Sequence, residues 1–120
     1  MTASLLTGVL AENFRATNAL DLDAIVDTFA DDAFITDASR EITGKAAIRA
    51  FLAKEIVGDK VTYEVTEVRE HHGQIIVRAV TDGTFDKSRL PDPVILTHYF
   101  QVRDDQITSQ ITVLLKPSQY

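Results

Sequence analysis

The chain contains no cysteine, and this absence removes several kinds of chemistry. Without thiols it cannot build a disulfide framework, a thiolate zinc site, an iron–sulfur cluster or a cysteine nucleophile. Long apolar runs are also missing, since no stretch approaches the ~18 apolar residues of a membrane helix. Residues 1–10 hold no basic residue of the kind that begins a signal peptide. We therefore expect a cytoplasmic protein that makes no contact with a membrane.

Positive charge is scarce in the first third of the chain. Residues 1–39 hold seven acidic residues against Arg15 alone, and the whole chain has a formal net charge of −6. There is no basic stripe and no strand that mixes basic with aromatic residues, so binding to phosphate backbones is not expected. The acidic block is typical of a solvated helical face with capping aspartates. Nucleic acid is therefore not a predicted partner.

Three further patterns are missing. Gly44 is isolated, so the chain has no glycine-rich loop for a dinucleotide. The serines lack the setting of a nucleophile elbow, which removes support for covalent serine chemistry. His71 and His72 are adjacent on an extended chain and point to opposite sides, and no histidine lies on a predicted helix where an acidic residue could join it at metal spacing. The sequence predicts neither a metal site nor a cofactor.

The residues that are present describe one compact domain over residues 1–120. Apolar residues make up 45% of the chain, and in the first half they recur at intervals of three and four, which predicts three helices. The first helix ends near Asn18, the second begins at a cap formed by Asp21, and the third runs from a Thr43 cap to Gly58. A short extended segment at Phe34 separates the last two. The apolar stripes are Leu5, Leu6, Val9, Leu10, Asn13, Phe14 and Thr17; then Leu22, Ile25, Val26 and Phe29; then Ile48, Phe51, Leu52 and Ile56.

From Val61 onward the apolar period changes to two, which predicts strands. Turns are expected at residues 71–74, 86–93 and 103–106, where turn-forming residues gather. Helices followed by long antiparallel strands predict an α+β domain whose helices cover one face of the sheet. The residues expected to face the helices are Val61, Tyr63 and Val65; Ile75, Val77 and Ala79; Val94, Leu96, His98, Phe100 and Val102; and Ile107, Ser109, Ile111, Val113 and Leu115.

Three segments carry a family resemblance. Residues 18–26 (NALDLDAIV), 29–33 (FADDA) and 44–51 (GKAAIRAF) resemble the N-terminal half of the nuclear transport factor 2-like superfamily, and most of all its ketosteroid isomerases and SnoaL-like polyketide cyclases. The resemblance implies a strongly curved, cystatin-like sheet wrapped around the helices into a cone with an apolar pocket. The superfamily includes isomerases, dehydratases, cyclases, epoxide hydrolases and members without catalytic activity, so the resemblance implies fold more than function.

Asp37 is the candidate general base. In ketosteroid isomerases an aspartate shortly after the segment that resembles residues 29–33 moves the proton, and Asp37 falls at that position. Independently, Asp37 ends an apolar segment, where a carboxylate facing the interior would be partly desolvated and suited to accept a proton. The alternative is that Asp37 begins a turn and pairs with backbone amides or with Arg40.

The resemblance also locates the oxyanion site, and there the chain departs from the family. Ketosteroid isomerases use a tyrosine and a protonated aspartic acid, whereas the matching positions hold Asn13 and His98, so steroid isomerisation by that mechanism is not expected. His98 shares an apolar strand face and could polarise a carbonyl, and Asn13 could add an amide donor. The alternative for His98 is a core histidine satisfied by a carbonyl or water.

Two functions follow from this interpretation. The first is a cofactor-independent isomerase, dehydratase or cyclase that acts on a small apolar or semi-polar molecule, with Asp37 and His98 as catalytic residues. The second is a non-catalytic ligand-binding or structural dimerisation domain of the same fold, whose pocket holds an apolar molecule or is filled by phenylalanines. The expected pocket residues are Asn13, Phe14, Phe29, Phe51 and Phe100.

A homodimer is the expected assembly. Apolar and small polar residues on the outer sheet face leave a broad surface that proteins normally cover, and related domains often pair sheet to sheet. Arg78, Asp82 and Gln101 could orient the contact. The surface expected to be covered consists of Ile76, Val80, Ile95, Tyr99, Thr108, Gln110 and Thr112.

Overall fold

A computed structural model describes residues 6–115 of the chain, so Leu5 of the first apolar stripe lies outside the described residues. Helices come first and most of the strands follow, as expected. The helices are α1 (Gly8–Asn18), α2 (Leu22–Asp27), α3 (Lys45–Phe51) and a π-helix (Leu52–Val57) that continues α3. The strands are β1 (Phe29–Asp37), β2 (Arg40–Thr43), β3 (Thr62–His71), β4 (Gln74–Asp82), β5 (Val94–Arg103) and β6 (Gln106–Leu114).

The first residues of α2 and α3 were predicted from their N-cap residues, and one of the two predictions is correct. The side chain of Asp21 accepts a hydrogen bond of 3.2 Å from the backbone nitrogen of Ala24, which confirms the predicted cap. The Thr43 cap is wrong, because Thr43 pairs with Phe34 as the last residue of β2. Gly44 is the N-cap residue of α3 instead, with a φ of 88° that favours glycine.

Phe29 was expected on the apolar stripe of the second helix, and this prediction is wrong. The helix ends at Asp27, and Phe29 begins β1, where it pairs with Ile107 of β6. Strand β1 therefore extends well beyond the predicted segment at Phe34. Its partner β6 lies near the other end of the chain, and local periodicity cannot reveal such long-range pairing.

The six strands form one curved, unclosed sheet in the order β2-β1-β6-β5-β4-β3. Strands β1 and β6 run parallel, and all other neighbours run antiparallel. The helices lie against the concave face, and the core between them includes Phe14, Ile25, Phe29, Ile48 and Val77. The predicted α+β class with a strongly curved, mostly antiparallel sheet is thereby confirmed. Among residues 6–115, no helix has the length and apolar character needed to cross a membrane.

A β-bulge in β6 reverses the predicted facing of that strand. Gln101 pairs with Ser109 and Val102 pairs with Ile107, so Thr108 has no partner of its own in β5. One extra residue shifts a period-two pattern by one, which moves every later side chain to the other face. Ile107 stays inside, but the inward residues beyond the bulge are Gln110, Thr112 and Leu114 rather than Ser109, Ile111, Val113 and Leu115.

Candidate active site

A cavity of about 320 Å³ lies between the helices and the concave face of the sheet. Its lining is mainly apolar and draws on α1, α2, β1, the π-helix and four further strands. Cavities of this size and character are typical of small-molecule sites. The aromatic lining residues are Phe29, Phe51, Tyr63 and Phe85, and the polar ones are Asn13, Thr17, Asp37, Glu55, Asp59, Thr81, Gln110 and Thr112.

Asp37 lies at the end of β1 and lines the cavity. Its Oδ2 atom accepts a hydrogen bond of 2.8 Å from Arg40 Nη2, across a tight turn in which Ala38 has a φ of 56°. The Asp37 side chain is 35% exposed. The two alternatives from the sequence therefore both hold in part, since the carboxylate faces the cavity and also pairs with Arg40. It is less desolvated than an interior position would make it.

Arg40 also ties Asp37 to the π-helix. Its Nη1 and Nη2 atoms donate hydrogen bonds of 2.6 and 2.8 Å to Glu55 of the π-helix, and its guanidinium lies 5.4 Å from the ring centroid of Phe51. The hydrogen bond from Arg40 lowers the pKa of Glu55. One guanidinium thus connects three residues that line the cavity.

His98 lies one layer behind the cavity wall. Its side chain is 1% exposed, and its Nδ1 atom is 2.9 Å from Thr112 Oγ1 and 3.4 Å from Gln110 Nε2. Its ring packs against Phe14, Tyr63 and Phe100, at centroid distances of 6.0, 5.0 and 5.9 Å. Burial lowers the pKa of His98 to about 4, so the imidazole is neutral at physiological pH. His98 is not one of the cavity-lining residues, whereas Thr112 and Gln110 are.

Sheet register explains how the two predicted catalytic residues relate. Asp37 of β1 pairs with Thr112 of β6, and Thr112 pairs with His98 of β5. The three residues therefore form one row across adjacent strands. Asp37 and His98 are separated by one strand, and the Thr112 side chain stands between them.

The other predicted site residues divide into two groups. Phe29, Phe51 and Asn13 line the cavity, whereas Phe14 and Phe100 pack beside His98. The phenylalanines leave the cavity open. The hypothesis that they fill the pocket is therefore wrong. The Asn13 amide nitrogen donates a hydrogen bond of 2.9 Å to the Thr28 hydroxyl, which commits one of its two protons inside the protein.

Tyr63 is a site residue that the sequence did not single out. It lies near the start of β3, lines the cavity and packs edge-on against Phe14 at 5.5 Å. Burial and, to a smaller degree, the negative charge of Asp37 raise the pKa of Tyr63, so its hydroxyl stays protonated at physiological pH. In the sequence, Tyr63 stands in a period-two apolar pattern, which is equally typical of a core residue. Thr112 and Gln110 were missed because of the bulge in β6.

Metal ligation has no support in this arrangement. Within residues 6–115, no group of three or more His, Cys, Asp or Glu side chains is placed to hold a metal ion. The carboxylates of Asp37 and Glu55 are instead occupied by Arg40. The polar groups of the cavity can accept and donate protons and hydrogen bonds.

Comparisons with known proteins agree with this fold. A proposed polyketide cyclase from Sinorhizobium meliloti is 26% identical, with a TM-score of 0.82 over 94% of this chain and 100% of that chain. The epoxide hydrolase/cyclase-like enzyme SalBIII, which has a role in pyran ring formation in salinomycin, is 24% identical, with a TM-score of 0.74 over 89% and 88%. A computationally designed 17-OHP binder is 21% identical, with a TM-score of 0.72 over 90% of each chain.

A comparison with curated proteins found no significant match. The sequence profile of the SnoaL-like domain matches residues 10–110, which covers most of the chain and nearly all of the described structure. This match and the structural neighbours confirm the resemblance to the nuclear transport factor 2-like superfamily. The chain therefore belongs to the SnoaL-like domain family.

Proposed function

We propose that the protein is a cofactor-independent isomerase, dehydratase or cyclase that acts on a small, largely apolar molecule bearing a carbonyl group. The observation that carries this proposal is that Asp37 and Tyr63 line the same apolar cavity. They are close enough that the negative charge of Asp37 raises the pKa of the Tyr63 hydroxyl. A carboxylate and a protonated phenol around one apolar space form a base and a hydrogen-bond donor for the same substrate.

The chemistry begins with proton transfer to Asp37. The carboxylate takes a proton from the carbon next to the carbonyl, and the electron pair of the broken C–H bond forms an enolate. The Tyr63 hydroxyl donates a hydrogen bond to the developing oxyanion. Isomerisation follows if Asp37 returns the proton to another carbon, and dehydration follows if the hydroxyl on the β-carbon leaves as water with that proton. Cyclisation follows if the enolate carbon attacks a second carbonyl and Asp37 gives its proton to the alkoxide that forms.

The ion pair with Arg40 leaves Asp37 able to act. Among the described residues, the Arg40 hydrogen bond uses Oδ2, so Oδ1 is open for a substrate proton. Arg40 is itself held by two hydrogen bonds to Glu55, which fixes the guanidinium and hence the orientation of Asp37. A base held in place by an ion pair reacts without first reorganising.

The similarity to the proposed polyketide cyclase supports the cyclase form of the chemistry. Polyketide cyclisation uses a carbanion next to a carbonyl, which is the intermediate that Asp37 would generate. The departures at Asn13 and His98 from the steroid isomerase pattern argue against that particular substrate. Tyr63 lines the cavity from β3, and its phenol is a donor there in addition to the second amide proton of Asn13.

Deuterium exchange tests the proposal with simple ketones in place of the natural substrate. Proton NMR in D₂O follows the loss of the α-proton signals of a panel of cyclic ketones that includes 1-tetralone. We expect wild-type protein to accelerate exchange and Asp37→Asn to lower the rate by about 10²–10⁴-fold, the usual contribution of a general base. Asp31→Asn is the matched control, because Asp31 lies on the same strand with a side chain that is 97% exposed. Exchange that needs no protein, or that survives Asp37→Asn, contradicts the proposal.

A binding protein is the second candidate function. The observation that favours it is the direct pairing of Asp37 with Arg40, which a structural role would also explain. The designed 17-OHP binder is a protein of the same fold that binds a ligand, although at 21% identity it supports the fold alone. Binding of ketones by the wild type without any exchange would favour this function over the enzyme.

We also propose that the protein forms a homodimer through the outer face of the sheet and works in the cytoplasm. The bulge in β6 removes Gln110 and Thr112 from the proposed surface, because both line the cavity. Apolar side chains remain exposed there, including Val113 at 49% exposure. The centre of the proposed contact is the half-buried Tyr99, which pairs with Ile76 across β4 and β5.

A further inference from the structure

Three polar side chains meet at the wall of the cavity, and His98 is the one that does not line it. Thr112 Oγ1 lies 2.9 Å from His98 Nδ1, and Gln110 Nε2 lies 3.3 Å from the same oxygen and 3.4 Å from the same ring nitrogen. The other ring nitrogen, Nε2, is buried and has no hydrogen-bond partner within residues 6–115. The two sides of the imidazole thus face very different surroundings.

These surroundings select one tautomer of His98. On the Nδ1 side, the Thr112 hydroxyl and the Gln110 amide can both donate a hydrogen bond. Nε2 has no hydrogen-bond partner within residues 6–115, and the rings of Tyr63 and Phe14 pack against the imidazole at inclinations of 78° and 73°. The Gln110 amide nitrogen has protons but no free lone pair, so it can only donate, and Nδ1 must accept from it. The neutral ring therefore carries its proton on Nε2, and Nδ1 accepts.

The tautomer in turn fixes the direction of the Thr112 hydroxyl. When Nδ1 accepts, the hydroxyl proton points to His98, and the oxygen keeps its two lone pairs. Gln110 Nε2 reaches one of them at 3.3 Å. The second remains for a group in the cavity, which Thr112 lines. A hydroxyl that could act as donor or acceptor is thereby restricted to accepting.

We propose that Thr112 is the specificity-determining residue of the cavity and that it accepts a hydrogen bond from a hydroxyl or amine group of the ligand. His98 is a positioning residue that acts through Thr112 and does not touch the ligand. The proposal rests on the proposed small-molecule function and narrows its substrate class. The substrate is an apolar carbonyl compound that also carries a hydroxyl or amine donor, held beside Asp37 because Thr112 and Asp37 are register partners.

A pair of naphthalene probes tests this preference by binding alone. 2-Naphthol can donate a hydrogen bond, whereas 2-acetonaphthone can only accept one, and both are small enough for a cavity of about 320 Å³. Fluorescence titration gives the two dissociation constants and hence their ratio. We expect wild-type protein to favour 2-naphthol and Thr112→Val to reduce that preference by about threefold to tenfold, the effect of one hydrogen bond.

Two substitutions at His98 separate positioning from packing. His98→Asn places an amide oxygen near the position of Nδ1 and should keep the preference for 2-naphthol within about twofold of wild type, since the Thr112 proton still has its acceptor. His98→Leu has a similar volume but no acceptor, so the Thr112 hydroxyl can turn and donate to 2-acetonaphthone. The preference should then fall as it does in Thr112→Val. A purely structural histidine would not show rescue by Asn.

Nitrogen-15 NMR of the wild-type imidazole tests the tautomer without any variant. His71 and His72 are exposed and give comparison signals in the same spectrum, whereas His98 should stay neutral and protonated on Nε2 between pH 5 and 8. A proton on Nδ1, or a preference unchanged by Thr112→Val, overturns this inference and leaves the Asp37 exchange result untouched. If neither probe binds the wild type, the inference and the proposed small-molecule function both fail.

Discussion

At the scale of single residues, His98 shows most clearly how burial in the fold changes a pKa. It is 1% exposed and neutral, because burial lowers its pKa to about 4. In the unfolded chain the pKa is about 6.5. Between these values the unfolded state binds a proton that the native state does not, so the free energy of unfolding falls as the pH falls. The contribution of neutral His98 to the free energy of unfolding is fully present above about pH 6.5 and is lost by pH 4.

This linkage gives a measurable pH effect on stability. The difference between the two pKa values corresponds to roughly 3 kcal/mol. Urea unfolding of the wild type and His98→Asn at pH 7 and pH 4.5 measures it, since the variant lacks this titrating group. We expect the free energy of unfolding to fall more steeply for the wild type by roughly 2–3 kcal/mol. Equal pH dependence in both proteins would show that His98 is not held neutral.

The residues of the site were only partly predictable from the sequence. Asp37 and Asn13 line the cavity, and both were singled out by their positions relative to the family that the chain resembles. Tyr63 was not identified, since a tyrosine in an alternating strand is equally typical of a core residue. Thr112 was assigned to the wrong face because a bulge leaves no mark in the residue pattern. His98 faces inward as expected, but its neighbours on β6 decide that it lies behind the wall.

At the scale of elements, the π-helix shapes the cavity most directly. It contributes Leu52, Glu55 and Ile56 to the lining. Its C-cap is Gly58, whose backbone nitrogen donates a hydrogen bond to the carbonyl of Ala53, five residues back. A wider helical turn of this kind is frequent at functional sites. Periodicity predicted this segment as an ordinary helical continuation, because 3.6-residue and wider turns cannot be told apart over six residues.

Gly58 is the residue that allows the π-helix to end in this way. A Cβ atom at this position would clash with the Lys54 carbonyl oxygen and lie 2.9 Å from that of Ala53. Gly58→Ala should therefore lower the free energy of unfolding by more than about 1 kcal/mol and weaken 2-naphthol binding, because the turn must shift. The exposed Lys54→Ala is the control, expected within about 0.5 kcal/mol of wild type. Urea unfolding checks both, and an unaffected Gly58→Ala would contradict this role for the glycine.

Strand pairing shows the limit of local prediction at this scale. The hairpins at residues 71–74 and 103–106 were predictable, and His72 and Asp104 take the positive φ values of 52° and 53° that such tight turns need. The parallel pairing of β1 with β6 could not be predicted, because nothing in residues 29–37 indicates a partner near the other end of the chain. That pair is what brings Thr112 next to Asp37.

At the scale of the whole molecule, the proposed homodimer through the outer sheet face predicts the mass in solution. Sedimentation at micromolar concentration should give twice the 13.3 kDa of one chain. Tyr99→Glu should dissociate the dimer, since it would bury an unpaired charge at the contact, whereas Tyr99→Phe should leave it intact. Circular dichroism confirms that each variant is folded. A wild-type mass of a single chain, unchanged on dilution, would contradict the homodimer.

The central claim is that the cavity beside Asp37 and Thr112 holds a small apolar molecule, and intermolecular NOEs test it most directly. Protein with labelled methyl groups is mixed with 2-naphthol, and NOEs are recorded from the probe to each methyl. We predict contacts to the cavity methyls of Ile35, Leu96 and Thr112 and none to Ile76 or Val113 on the outer face. Contacts confined to the outer face, or absent from all five residues, would contradict the claim.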